Sequence, residues 1–192
     1  MNRKVIISDF FGVVVDRNAD RFFQKYVSKE KASELTYHYC HPGDLGQTTF
    51  AQIMKDIARD VHFNYAFVEH GLLYGPKLHQ AYVSCLRSLK EKGHRIILLS
   101  NAPDFIVEHL MRLYQIEDVF EKTYISYSSG LIKPEESAFL GVLQICQIDA
   151  KDAIFIDDSS LNTRAATKVG ITSILYEQED QATRDLLGKI NE

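Results

Sequence analysis

The chain has 192 residues, 45% of them hydrophobic, with a formal net charge of −4. That length suits one domain, or one core carrying a small insertion, and can bury a core without staples. The charge offers no basic field for nucleic acid or an anionic membrane, so any bound phosphate must be held by a few placed groups. Three cysteines, Cys40, Cys85 and Cys146, are odd in number and far apart. They imply no disulfide framework and point to a reducing compartment. The opening MNRKVIISDFFGVVVD is interrupted by Asp9 and has no signal-peptide core or cleavage site. With no run long enough to span a membrane, a cytoplasmic protein is expected.

In chain order, the first predicted strand is Lys4–Ser8 (KVIIS). From about Asn18 to Tyr74 the patterns are helical, with no convincing strand and a turn near His41–Gly46. Pro76–Lys92 then places Leu78, Tyr82, Cys85, Leu86 and Leu89 on one stripe, with Gly93 as a stop. Strand Arg95–Ser100 (RIILLS), helix Ala102–Tyr114 and a weaker strand at Thr123–Ser126 follow. Pro134–Cys146 reads as a helix with proline in its first turn and glutamates near its positive end. Strand Ala153–Asp157, helix Leu161–Val169 ending at Gly170, strand Thr172–Tyr176 and a helix over about Asp180–Ile190 complete the chain. The strands are short and apolar on both faces, as in a parallel sheet covered on both sides. The alternation predicts a doubly wound, Rossmann-like α/β core. The expected division is a core of residues 1–17 and 75–192, with a helical cap at 18–74 inserted after the first strand.

In open α/β sheets, ligands bind beyond the carboxyl ends of the strands. Asp9 follows KVIIS, Ser100 and Asn101 end RIILL, and Asp157 and Asp158 end AIFI. Lys133 lies in a loop just before a helix. Carboxylates, a hydroxyl and a lysine on one edge suit a hard cation plus a phosphate. Each residue also has a plainer role available. Asp158 would cap the helix near Leu161, Ser100 would cap the helix after it, and Lys133 would sit in solvent.

DFFGVVVD, LLSNAP, GLIKPEESAF and IFIDDSSLNTRAATKVGI resemble, in order, the four motifs of the haloacid dehalogenase-like hydrolases. The resemblance covers about Lys4 to Tyr176 and leaves the cap unconstrained. It is nearest to small capped phosphatases, including sugar-phosphate phosphatases. It implies that Asp9 attacks phosphorus and forms an aspartyl-phosphate, which water hydrolyses. It implies that Ser100 binds a phosphoryl oxygen, with backbone N–H groups near Asn101 and Ala102 helping, and that Lys133 neutralises charge. Mg²⁺ would be held by Asp9, the Phe11 carbonyl, Asp157 and Asp158, with Asn162 as a buttress. The implied partner is a small phosphorylated metabolite, and the implied state a monomer or homodimer.

One position departs from the phosphatase pattern. The aspartate expected two residues after the nucleophile, which moves the leaving-group proton, is Phe11. A cap residue or water must replace it, or the enzyme is slow. An aromatic there also resembles the true 2-haloacid dehalogenases, whose reaction needs no metal. The adjacent Asp157 and Asp158 favour phosphoryl transfer over that alternative, and the intact Asp9 and Lys133 disfavour a non-catalytic binding module. His38, Cys40 and His41 are close enough to suggest a transition-metal site, but read more simply as part of a cap helix ending at Pro42. Tyr37 and Tyr39 are open between facing the site and packing in the cap.

Overall fold

A computed structural model describes residues 3–191; Met1, Asn2 and Glu192, at the ends of the expected core, lie outside it. Strand β1 (Val5–Ser8) leads into four helices, α1 (Asn18–Phe23), α2 (Lys29–Asp44), α3 (Phe50–Asp60) and α4 (Tyr65–Leu73). Helix α5 (Gln80–Glu91), β2 (Arg95–Ser100), α6 (Ile106–Tyr114), β3 (Lys122–Ile125), the single turn α7 (Ser126–Ser129) and α8 (Glu136–Cys146) follow. The chain closes with β4 (Ala153–Asp157), α9 (Ser160–Lys168), β5 (Thr172–Leu175) and α10 (Glu179–Asn191).

The five strands form one parallel sheet in the order β3-β2-β1-β4-β5. The expected α/β fold is therefore present, with β1 central and its carboxyl end flanked by those of β2 and β4. The central strands β1, β2 and β4 are largely apolar, yet side chains still alternate between faces. Ile7, Ile97, Leu99 and Phe155 enter a core beneath α8 and α9. Ile6, Leu98, Ile154 and Ile156 enter the opposite core. That second core continues through Phe10 and Val13–Val15 into the inserted helices, where Phe22, Tyr39, Ile53 and Leu72 are buried. The insert is thus fastened to the sheet by shared apolar burial, the main source of helix stability in so short an element.

Local chemistry fixes the inserted helices. Ser28, Thr49 and Asn64 accept backbone N–H bonds at the starts of α2, α3 and α4. Helix boundaries differ from the sequence reading where loops have other partners. Residues 76–79 are not helical: Leu78 bridges Val15 and the His79 N–H donates to the Val14 carbonyl at 2.9 Å. The segment 101–105 is also a loop, so α6 starts four residues later than expected. Helix α8 starts at Glu136, after a cis Lys133–Pro134 bond. The helix expected to end at Pro42 runs through it to Asp44, which moves the turn to residues 45–49.

Candidate active site

Asp9 leaves β1 at the centre of the sheet's carboxyl edge. Its Oδ1 accepts from the Phe10 N–H at 2.7 Å and from Lys133 Nζ at 2.7 Å, while Oδ2 has no hydrogen-bond partner among the described residues. The next turn curls back so that the N–H groups of Val14 and Val15 bond the Phe10 carbonyl. Gly12 holds φ +85° there, and a Cβ would collide with the Asp158 carboxylate. Glycine is required on both counts.

Lys133 is the hinge of the cluster. It is only 4% exposed, and its Nζ bonds Asp157 Oδ2 at 2.7 Å as well as Asp9. Asn101 fixes its backbone: the amide donates to the Lys133 carbonyl at 2.7 Å and accepts from the Lys133 N–H at 2.9 Å. Asp157 is fully buried, and its remaining acceptors are taken by the Ser159 N–H at 2.8 Å and by Asn162 Nδ2 at 3.0 Å. Asp158 turns instead toward the cavity and pairs with Arg17. Oxygens of Asp9, Asp157 and Asp158 lie within 4.8 Å of one another, the one such grouping of potential metal ligands among the described residues. His38, Cys40 and His41 form no such group: His41 stacks on Tyr37, and burial raises the Cys40 thiol pKa.

Like charges crowd this edge. Burial, then Asp157, push the Asp9 pKa up to about 8, against the opposing pull of Lys133. Asp158 is also raised, chiefly by burial, with Arg17 opposing. Burial alone would lower Lys133, but Asp157 and Asp9 outweigh it and hold the ammonium charged. Carboxylates so crowded favour a cation among them.

The plainer roles are not the ones these residues play. The cap of α9 is Ser159, whose Oγ accepts from the Asn162 N–H, and not Asp158. Helix α6 has no side-chain cap, and Ser100 Oγ is buried with no hydrogen-bond partner among the described residues. Such an orphan is expected where a ligand oxygen completes the set. The expected N–H group of Ala102 is bonded to Ser126 Oγ at 3.1 Å, because residue 102 lies in a loop and not at a helix start.

Above this floor is a cavity of about 410 Å³, closed on its other side by the insert. Phe11, Asn101, Asp158 and Asn162 line it from the sheet; Asn18, Asp20, Thr36, Tyr37 and Asp44 line it from α1 and α2. Asn18 Oδ1, Asp20 Oδ1 and Thr36 Oγ1 are buried without partners among the described residues. Tyr37 thus faces the cavity, whereas Tyr39 packs on Phe23 within the insert and reaches Asp60 at 3.2 Å. Sequence reasoning missed Arg17, Asn18, Asp20, Thr36 and Asp44. None lies at a strand end, and Asp44 sits in HPGDLG, which reads as an ordinary turn.

A parallel sheet in this order, with aspartates at the ends of the adjacent strands β1 and β4 and a buried lysine bridging them, defines a hydrolase of the haloacid dehalogenase-like type. Residues 3–170 match the family model for haloacid dehalogenase-like hydrolases, and the chain belongs to that family. It is 23% identical over 183 residues to a D-ribitol-5-phosphate phosphatase of Bacteroides thetaiotaomicron, covering 87% of this chain and 88% of that one. Two Aspergillus relatives match over a smaller share of their length. The chain spans 24% of a drimenol cyclase, drtB, of Aspergillus calidoustus at 28% identity over 67% of this chain. It spans 46% of a sesquiterpene phosphatase, astK, of Aspergillus oryzae at 34% identity over 47% of this chain. Among solved structures, a family enzyme from Bacteroides thetaiotaomicron in complex with magnesium and inorganic phosphate superposes with a TM-score of 0.71 at 25% identity, covering 90% of this chain and 93% of that one.

Proposed function

We propose that the protein is a Mg²⁺-dependent phosphatase that hydrolyses a small phosphomonoester, such as a sugar phosphate, through an aspartyl-phosphate on Asp9. The observation that carries this reading is the buried Asp9–Lys133–Asp157 network and the unpartnered Ser100 hydroxyl, next to a half-open cavity lined by the neighbouring Asn101 and Asp158. The similarity to a D-ribitol-5-phosphate phosphatase over 88% of its length supports the substrate class.

The donor set fits a magnesium ion. Three carboxylates converge, and a cation would offset both the burial and the neighbouring Asp157 charge that raise Asp9. Asp9, Asp158 and the Phe11 carbonyl would hold it. Asp157 would contribute mainly through its neighbours, because its acceptors are already used by Lys133, Ser159 and Asn162. Bound magnesium would screen the repulsion between Asp9 and an anionic substrate.

The residues of the chain then divide the work. Asp9 Oδ2 is the oxygen left to attack phosphorus, while Lys133 and the Phe10 N–H hold Oδ1 and so fix the carboxylate plane. Ser100 Oγ donates to a phosphoryl oxygen. The Lys133 ammonium balances the charge that builds on the transferring group. Asn101 acts on Lys133 by clamping its backbone. The helices over residues 18–74 serve as a cap that closes the cavity and selects the alcohol part of the substrate.

Phosphate release would be measured from polyol, sugar and prenyl monophosphates, with and without Mg²⁺, for the wild type and Asp9→Asn. The expected result is release that needs both the metal and Asp9, with a loss on the order of 10³-fold or more in the variant. An Asp9→Asn protein as active as wild type would sink the mechanism. Metal-independent halide release from 2-haloacids would favour dehalogenation instead.

A further inference from the structure

The phosphatase reading leaves one chemical gap. When the bond from phosphorus to the leaving oxygen breaks, the alcohol oxygen gains an electron pair and needs a proton. The position two residues after Asp9, from which a carboxyl would supply it, holds Phe11, whose ring lines the cavity and cannot move a proton.

We propose that Asp44, at the carboxyl end of α2, is the proton donor to the leaving group and the base for the second step. The proposal rests on the phosphatase reading above. Its first support is placement. Asp44 lines the same cavity as Phe11, Asn101 and Asp158, and reaches it from the insert. Its second support is that the carboxyl has no hydrogen bond or ion pair among the described residues. The other insert carboxylate in the cavity, Asp20, faces Arg17 at 3.5 Å. Asp44 is half-buried, so its carboxyl is free of competing protein partners while remaining accessible from the cavity.

The third support is rigidity. Gly43 brings the end of α2 so close to the loop after β2 that a Cβ would sit 2.6 Å from Pro103 Cβ. Six residues beyond Asp44, the Phe50 N–H donates to Asp104 Oδ1 at 2.5 Å. A Cβ on Gly46 would lie 3.0 Å from the Tyr127 carbonyl oxygen. The segment carrying Asp44 is therefore seated on the loops that carry Asn101 and lead to Lys133, so a donor there is held in register with the floor. Burial raises the Asp44 pKa to about 7, with Lys133 opposing, which leaves the carboxyl able to carry a proton near neutrality. Besides Lys133, the charged groups lining the cavity with it are Arg17, Asp20 and Asp158.

The steps balance. Asp9 Oδ2 forms a bond to phosphorus as the bond to the leaving oxygen breaks, and that oxygen takes the Asp44 proton. A water oxygen then attacks the phosphorus of the aspartyl-phosphate and gives its proton to Asp44. The bond to Asp9 breaks, its electron pair returns to the carboxylate, and Asp44 is again protonated.

The test compares leaving groups, because an acid matters most where the alcohol is a poor leaving group. Wild type, Asp44→Asn and Asp20→Asn would be assayed with Mg²⁺ on ribitol 5-phosphate and on p-nitrophenyl phosphate, whose phenolate leaves without a proton. The expected result is a loss of kcat on the polyol phosphate of about a hundredfold or more in Asp44→Asn. Its loss on p-nitrophenyl phosphate should be at least tenfold smaller, and Asp20→Asn should show no such split. Thermal melting controls for folding, and Asp44→Asn is expected to melt no lower than wild type, since it removes an unpartnered carboxylate. Equal losses on both substrates, no loss on either, or a split seen in Asp20→Asn instead would overturn the assignment while leaving the phosphatase intact. No phosphate release by wild type from either ester would overturn both readings together.

Discussion

The floor and the roof of the cavity are built on opposite principles. On the floor, Asp157 has every acceptor used, Lys133 is bonded to two carboxylates, and Asn101 and Asn162 hold their neighbours in place. Against the roof, Asn18 Oδ1, Asp20 Oδ1 and Thr36 Oγ1 are buried without partners among the described residues, and Asp44, half-buried, makes no hydrogen bond or ion pair among them. A satisfied network resists movement and sets geometry, while unsatisfied groups are poised to receive something. The exception proves informative on each side. Ser100 Oγ and Asp9 Oδ2 are floor groups without a hydrogen-bond partner among the described residues, and the proposed mechanism uses both on the phosphoryl group.

The sharpest way to break that contrast is to open the floor. Lys133→Met keeps the volume but leaves Asp9 and Asp157 buried without their cation. Removing one partner of a buried ionic group costs about 3–5 kcal/mol, to be read from urea unfolding of the metal-free protein. A loss below about 1 kcal/mol would mean that the cluster is not held by this lysine.

The next effect concerns charge crowding. The folded-state pKa of Asp9, about 8, lies above its unfolded value. The folded protein therefore holds the extra proton between about pH 4 and pH 8, and metal-free stability falls as pH rises across that window. Magnesium must displace the proton. The rise in melting temperature on adding Mg²⁺ is thus expected to be larger at pH 8 than at pH 6, with protons released on binding at pH 7. A shift that does not vary with pH would show that protons and metal do not compete at Asp9.

The smallest effect belongs to the roof. Thr36→Val replaces an unpartnered hydroxyl with a methyl group and is expected to stabilise the fold by about 1 kcal/mol. It should also raise KM for a polyol phosphate severalfold with kcat little changed. A destabilised variant would indicate that the hydroxyl already has a partner in solution, and an unaltered KM would remove it from substrate contact.

The sheet was legible because its strands are short runs apolar on both faces, a pattern that only a covered parallel sheet uses economically. β2 and β4 match the predicted limits to the residue. In the inserted helices one break was legible, the turn near His41–Gly46, which the structure moves to residues 45–49; the restarts at Ser28 and Asn64 were not, since helical periodicity does not reveal them. The starts of α5 and α6 were misplaced for the converse reason. Leu78 fits a helical stripe and Ala102 opened the next expected helix, yet bonds to Val14 and to Ser126 draw their segments into loops.

What the sequence by itself determined was the fold class and the inventory of Asp9, Ser100, Asp157 and Asp158 at strand ends with Lys133 in a loop before a helix. Those follow from periodicity and local spacing, which are properties of a few consecutive residues. Only the tertiary structure decided which groups meet. The Arg17–Asp158 pair joins residues 141 apart, and Asp44 enters the cavity because a glycine lets α2 press against Pro103. Such meetings depend on how two elements pack, and no run of neighbouring residues encodes the packing alone.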